Sequence, residues 1–198
     1  MNNHRYKKKN SVFSISAGLL LTFLVISILF GLLFDLIFTK VEEGAYPRRY
    51  ELIVSEYAEK FGVPETVIYA VIKTESDFDP NAVSSAKAFG LMQLTEETFE
   101  WVSGKLKESP SAFDIYEPAT NIRYGVWYLS YLYGRFGSWD VAFAAYNAGP
   151  GNVSNWLEDS EYSSDGENLD YIPFKETRNY VEKVNRAIEK YEELYYTK

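Results

Sequence analysis

Glu75 is the residue from which chemistry is most readily built. Val67, Ile68, Val71 and Ile72 form an apolar stripe at helical spacing, and Glu75 continues it, three residues after Ile72 and four after Val71. A carboxylate turned toward a core is costly unless it is paired or protonated. Near a helix C-terminus the dipole also disfavours the anion. Both effects raise a carboxyl pKa, which is what a general acid needs. The same spacing also admits a surface glutamate at a frayed helix end. Competing chemistries are few. The chain has no Cys, so thiol nucleophiles, thiolate zinc sites and disulfides are excluded. Its single histidine, His4, sits in a basic N-terminal tail, which leaves the rest without Ser-His-Asp chemistry or imidazole clusters. No metal site and no cofactor is expected. Asp77-Phe78-Asp79-Pro80-Asn81 begins like a calcium loop, but Ala82 and Ala88 stand where Gly and Glu are required. Asp77 and Asp79 therefore read as loop and cap residues.

Three more segments carry polar groups where a core would not choose them. Gly90-Leu91-Met92-Gln93 joins a glycine, suited to close backbone approach, to two apolar residues and an amide. Ala145-Tyr146-Asn147-Ala148-Gly149 closes a helix that is apolar on nearly every face, so Asn147 needs a partner. A plain C-cap with left-handed Gly149 accounts for the geometry there but not for Tyr146 and Asn147. Tyr180 lies on one face with Val184 in the last helix. Its hydroxyl is either bonded to a backbone carbonyl or held for some other group.

Taken in order, Glu75-Ser76, GLMQ at 90–93, AYNAGPGNV at 145–153 and IPFKETRNYV at 172–181 resemble the lytic transglycosylase domain family over residues 48–196. The resemblance implies a lysozyme-like helical fold whose cleft takes peptidoglycan glycan strands. It implies Glu75 as the catalytic acid/base and Tyr180 as its neighbour. It assigns Ser76, Gly90, Leu91, Met92, Gln93, Tyr146, Asn147 and Ala148 to substrate binding. The implied reaction cuts the bond between N-acetylmuramic acid and N-acetylglucosamine without water, leaving a 1,6-anhydro end. A hydrolytic muramidase on the same fold and a non-catalytic wall-binding module are the alternatives. Two positions depart from the family pattern. Glu96 stands where a proline is common, which predicts an altered helix start. Phe89 stands where a small residue is common, which predicts a different local cleft shape.

The elements that must hold these residues are helical. Helices are expected from Tyr50 to Phe61, from Pro64 through Glu75, from a Thr95 cap to about Val102, from Pro118 to Phe136, from a Ser138 cap to Gly149 and from Phe174 to Tyr195. Residues 78–87, 103–117 and 158–172 read as irregular. No stretch alternates at period two and no repeat is present, so the fold class is all-α. The 17 Tyr, 13 Phe and 4 Trp can fill a core, and the tyrosines also suit sugar, offering an apolar face and a polar tip.

Before this domain lies an uncharged run from Val12 to Phe34, which as a helix spans roughly the 30 Å of a bilayer core. No small-residue cleavage site follows it, so an uncleaved anchor is expected rather than a signal peptide. The organisation reads as a tail over 1–11, an anchor over 12–38, a linker over 39–48 and a catalytic domain over 49–198. Arg5, Lys7, Lys8 and Lys9 precede the apolar run, which predicts a cytoplasmic N-terminus and a domain on the cell-wall side. From residue 40 onward, 16 Lys and Arg face 27 Asp and Glu, a net charge of −11. That balance excludes nucleic acid as a partner and gives no general attraction to anionic wall polymers.

Overall fold

The computed structural model describes residues 4–197 and, from residue 18 onward, their side chains, with Ala112 as the exception. The basic side chains of Arg5, Lys7, Lys8 and Lys9 lie outside the described residues. The chain divides into two units at Ala45.

The first unit is one helix, α1 (His4–Ala45). The large apolar side chains from Leu19 to Phe38 are all exposed, as a helix immersed in lipid requires. From Gly18 to Ala45 it is long and apolar enough to cross a membrane. The polar residues after the apolar run do not break it. Lys40 and Glu43 pair one turn apart at 2.6 Å, and the helix ends just before Tyr46-Pro47, where proline disfavours further helix.

The second unit, Tyr46 onward, is helical with one small hairpin. Helix α2 (Glu51–Phe61) stops at Gly62, whose φ of 68° is a glycine conformation. Helix α3 (Glu65–Ser76) runs through the middle of the core, and every residue from Thr66 to Ile72 is buried. It closes with Asp77 and Phe78 both at positive φ, which turns Phe78 back into the core. Strands β1 (Ala88–Phe89) and β2 (Leu94–Thr95) pair antiparallel around the tight turn 90–93. This hairpin is the one departure from an all-helical reading. Strands of two residues are too short for alternation to register in sequence.

Thr95 caps α4 (Glu96–Lys105), its hydroxyl accepting from Thr98 N at 3.1 Å. Glu96 takes the first helical position, where the missing proline would also have fitted and where a negative charge suits the dipole. Glu117 caps α5 (Pro118–Phe136) by accepting from Ala119 N and Thr120 N. Helix α6 (Trp139–Ala148) follows, with Ser138 in the cap position but without a capping side-chain bond. A further helix that the sequence reading left out, α7 (Pro150–Glu158), starts directly after Gly149. Proline at its first position is compatible with helix, although it looks like a breaker in sequence. Helix α8 (Lys175–Tyr191) packs along α3 and α6 and ends in a π-helical turn, Glu192–Tyr196. The loop between α7 and α8 is ordered by Asp165, whose carboxylate accepts from Glu167 N, Asn168 N and Asn168 Nδ2.

The core is the sum of these faces: α3 packs on α8 and α2, α5 on α2 and α6, and α6 on α8. Ile68, Ile72, Leu91, Met92, Ile122, Leu129 and Phe143 have no exposed surface or nearly none. Each such side chain contributes about 1.5–3 kcal/mol on burial, so α3 is held firmly by its apolar stripe. What that rigid helix presents at its last turn is Glu75.

Candidate active site

Glu75 sits at the end of α3, half-buried, where the apolar stripe meets the surface. Burial pushes its carboxyl pKa up to about 7, and an interaction with the Tyr180 hydroxyl pulls the other way. The ring of Tyr180, on α8, is buried. Its Oη is sealed from solvent and has no regular hydrogen-bond partner; what it meets is the Glu75 carboxyl. Burial, followed by the nearby Glu75 charge, holds the Tyr180 phenol well above the usual range, and the same is true of Tyr146. Neither phenol ionises near neutral pH, so the carboxyl is the group in this cluster that titrates there.

A second carboxylate is not supplied by the neighbours in sequence. The Asp77 side chain is 74% exposed and pairs with Lys73 on the outside of the helix. Asp79 caps its own turn by accepting from Asn81 N at 2.9 Å. Among the described residues, no group of three or more His, Asp or Glu is placed to hold a metal ion.

Ser76 fastens the carboxyl-bearing turn to the hairpin. Its hydroxyl lies 2.8 Å from Leu91 O, to which it donates, and 3.2 Å from Ile72 O. Leu91 and Met92 are completely buried, so they shape the site from behind and offer a ligand no surface, which corrects the expectation of direct substrate contact. Met92 O is already taken, accepting from Tyr146 Oη at 2.7 Å. Gln93 adopts a positive φ and spends its amide N–H groups on Gly90 O (2.9 Å) and Ala82 O (3.1 Å), which fixes the side chain against the hairpin's own backbone. Asn147 is exposed at the end of α6, and its Oδ1 accepts from the buried Thr177 hydroxyl on α8 at 2.7 Å. The partner that Asn147 needs is therefore Thr177, and its amide NH₂ is left for something else. Tyr146, Asn147 and Ala148 line one end of a groove of about 610 Å³. Phe89 packs edge-on against Tyr116, 5.6 Å between centroids, and its carbonyl joins the hydrogen bonds described next.

The residue that organises the hairpin is one that the sequence reading passed over. Asn121, on α5, is fully buried and every polar group on it is used. Its Oδ1 accepts from Met92 N at 2.7 Å, and its Nδ2 donates to Phe89 O at 3.0 Å and Ile115 O at 2.8 Å. Gly90 explains itself here: at φ 74°, a Cβ would stand 2.4 Å from Asn121 Nδ2. One turn along α5, Gly125 leaves room for Met92, whose Sδ would lie 2.4 Å from a Cβ at that position. The signal was present in sequence. Asn121 falls on the apolar stripe of Ile122, Gly125, Val126 and Leu129, and a polar residue on such a stripe calls for partners.

Comparison with known proteins agrees with this geometry. Residues 53–169 match the family model described as the transglycosylase SLT domain. The chain is 35% identical over 148 residues to the soluble lytic murein transglycosylase of Escherichia coli, covering 72% of this chain and 23% of that one. It is 33% identical over 167 residues to the membrane-bound lytic murein transglycosylase C of Mannheimia succiniciproducens, covering 73% of this chain and 47% of that one. Among solved structures, an inactive mutant of lytic transglycosylase Slt from Pseudomonas aeruginosa superposes with a TM-score of 0.64 at 33% identity, over 75% of this chain and 24% of that one. The 70 kDa soluble lytic transglycosylase of Escherichia coli gives 0.66 at 31% identity, over 77% and 25%. This chain thus spans about a quarter of the soluble relatives and about half of the membrane-bound one. The membrane-bound relative and the apolar α1 together point to membrane anchoring.

Proposed function

The chain belongs to the transglycosylase SLT domain family, and from that premise we propose that it is a peptidoglycan lytic transglycosylase with Glu75 as its one acid/base. The observation that carries the reading is a single half-buried carboxyl, raised to about 7, whose neighbour is a buried tyrosine hydroxyl without another partner. A carboxyl so placed is about half protonated at neutral pH and largely protonated below it, and can give its proton to a leaving oxygen.

In the proposed reaction Glu75 protonates the oxygen between N-acetylmuramic acid and N-acetylglucosamine as the C1–O bond breaks. N-acetylglucosamine leaves as an alcohol. The acetamido group of the muramic acid steadies the positive charge at C1. The Glu75 carboxylate then takes the proton of that sugar's C6 hydroxyl, O6 bonds to C1, and a 1,6-anhydro ring closes. The proton returns to where it began and no water is consumed. Glycosidases of the two-carboxylate kind need a base or nucleophile opposite the acid; the outward-facing Asp77 and the self-capping Asp79 support a mechanism without one.

Tyr180 orients the Glu75 carboxyl. The free amide NH₂ of Asn147 and the Oε1 of Gln93 are the side-chain groups left to meet sugar hydroxyls and acetamides, and the buried Gly90 serves the site from within by letting Asn121 approach the hairpin turn. Tyr146 and Ala148 form the wall against which the strand lies, while Ser76, bonded to Leu91 O, and the buried Leu91 and Met92 hold the site from behind. The domain works on the cell-wall side of the membrane, with Arg5, Lys7, Lys8 and Lys9, which precede the apolar run, in the cytoplasm, and peptidoglycan is its substrate.

Mass spectrometry of digested, purified peptidoglycan tests this. The expected product ends in 1,6-anhydro-N-acetylmuramic acid, one water lighter than a hydrolytic product. Reducing ends without anhydro ends would assign a hydrolase, and wall binding without released fragments would assign a binding module.

A further inference from the structure

The end of α8 and the π-helical turn after it carry three tyrosines, and their hydroxyls are spent on residues far away in sequence. Tyr191 Oη donates to Pro47 O at 3.1 Å, Tyr195 Oη to Tyr46 O at 2.9 Å and Tyr196 Oη to Glu65 Oε2 at 2.6 Å. The two carbonyls belong to Tyr46-Pro47-Arg48, a strap without helix or strand that opens the second unit. Glu65 is in the first turn of α3. We propose that this tyrosine stitch sets how far α8 slides along α3, so that Tyr191 and Tyr195 are positioning residues that seat Tyr180 against Glu75. The inference rests on the glycan-cleaving reading above.

Helices α3 and α8 run antiparallel. Tyr191, at the end of α8, stacks on Tyr69 in the first half of α3 with 5.3 Å between centroids, while Tyr180, near the start of α8, meets Glu75 in the last turn of α3. Between those two contacts the buried face of α8 is supplied by Val184 and Ala187. Burial of such residues is non-directional: it holds two helices together but tolerates a small shift along the seam. Directional contacts gather at the two ends of the seam. One end is the Glu75–Tyr180 pair and the other is the stitch. Tyr191 has no exposed surface, so its hydroxyl loses a bond outright if Pro47 moves away.

Tyr46 links the stitch to the turn that carries the carboxyl. Its ring meets Tyr191 edge-on at 5.6 Å, and the Lys73 ammonium lies 5.5 Å from its centre. Lys73 stands two residues before Glu75 and pairs with Asp77, two residues after it. Arg48 holds the other end of the strap, its guanidinium 4.6 Å from the centre of the Tyr195 ring and 3.1 Å from the Glu51 carboxylate on α2. A strap that served only as a connection would leave its carbonyls to water. A helix carries a displacement along its length, and catalytic geometry is lost with small misplacements, so a slip at Tyr191 is felt at Tyr180.

The test uses the full chain in detergent and compares wild type, Y195F and the double variant Y191F/Y195F, each with and without Y180F. Phenylalanine keeps the stacked rings and removes only the hydroxyls. The Glu75 midpoint is read by ¹³C NMR, with circular dichroism as the check on folding. Tyr180 on α8 and Tyr146 on α6 are the titratable groups that interact with Glu75, and neither ionises near neutrality, so a moved midpoint reports a moved Tyr180. Loss of the stitch is expected to shift the midpoint upward, as Y180F does, and to lower kcat about three- to tenfold with KM unchanged. Both effects should vanish in the Y180F background. Y195F alone supplies the answer if the double variant fails to fold. An unmoved midpoint, or the same loss with and without Tyr180, overturns the proposal. Cutting by the wild type together with an unmoved midpoint in the variants rejects the stitch alone. A midpoint that moves with the stitch in a wild type that does not cut rejects the catalytic reading and leaves the positioning role standing.

Discussion

Two polar side chains lie on apolar helical stripes, Asn121 on α5 and Glu75 on α3, and they have opposite surroundings. Asn121 is fully buried and has a hydrogen bond for every group that can make one. Glu75 is half-buried, raised toward neutrality by burial, and meets the Tyr180 hydroxyl, with the Tyr146 phenol also within reach of its charge. The difference teaches how the site divides its labour. A satisfied buried amide has no reason to change and so fixes shape. An under-satisfied carboxyl is poised between two protonation states and so can move a proton.

Exchanging the residues on each side of that comparison should break it in different ways. The largest effect is expected for E75Q, which removes the titrating proton from a site otherwise unaltered. Product release should fall by about 10²–10⁴-fold with the helical fold retained. Assays of released muropeptides alongside circular dichroism would check both halves, and near-normal turnover would take the acid/base role away from Glu75. N121A should do the reverse, damaging the fold before the chemistry. It leaves Met92 N–H and two carbonyls unpaired in the interior, at a cost of about 3 kcal/mol in chemical denaturation. A loss below about 1 kcal/mol would mean that the hairpin is held by other means.

A third variation turns on pH. The Glu75 pKa is about 7 in the folded chain and near 4.5 when unfolded, so the folded state binds its proton more tightly. The Glu75 contribution to stability is therefore fully present below about pH 4.5 and is lost as pH rises through 7, where the folded chain must carry a poorly solvated charge. E75Q is free of that decline. Relative to wild type it should gain about 2 kcal/mol by pH 8 and nothing at pH 4, read from thermal melts at both values. The smallest effect is expected for Y180F. The Tyr180 hydroxyl favours the charged carboxyl, so its removal should raise the Glu75 pKa further and move the alkaline limb of kcat/KM upward. Loss of its orienting contact should slow turnover by about tenfold. An unshifted limb would separate Tyr180 from Glu75.

Much of this was legible in the sequence, and what was not has physical reasons. Glu75 and Tyr180 stood out because each lies on a helical apolar stripe, a pattern that period-3.6 reading detects. The capped start at Thr95 and the stop at Gly62 follow from local chemistry. Helix α7 was hidden because Gly149-Pro150-Gly151 has the composition of a turn, although proline at the first helical position is compatible with helix. The hairpin was hidden because its register comes from Asn121, 26 residues beyond Thr95, rather than from its own strands. The family pattern marks residues 90–93 as cleft-lining, but composition alone could not say that Gly90, Leu91 and Met92 are buried while Gln93 alone of the four keeps exposed surface.

The account turns on the protonation of one side chain. Direct titration of the Glu75 carboxyl, by ¹³C NMR of glutamate-labelled protein with E75Q identifying the resonance, tests it most plainly. A midpoint near 7 is predicted; a midpoint near 4.5, the value of an ordinary solvated glutamate, would contradict it.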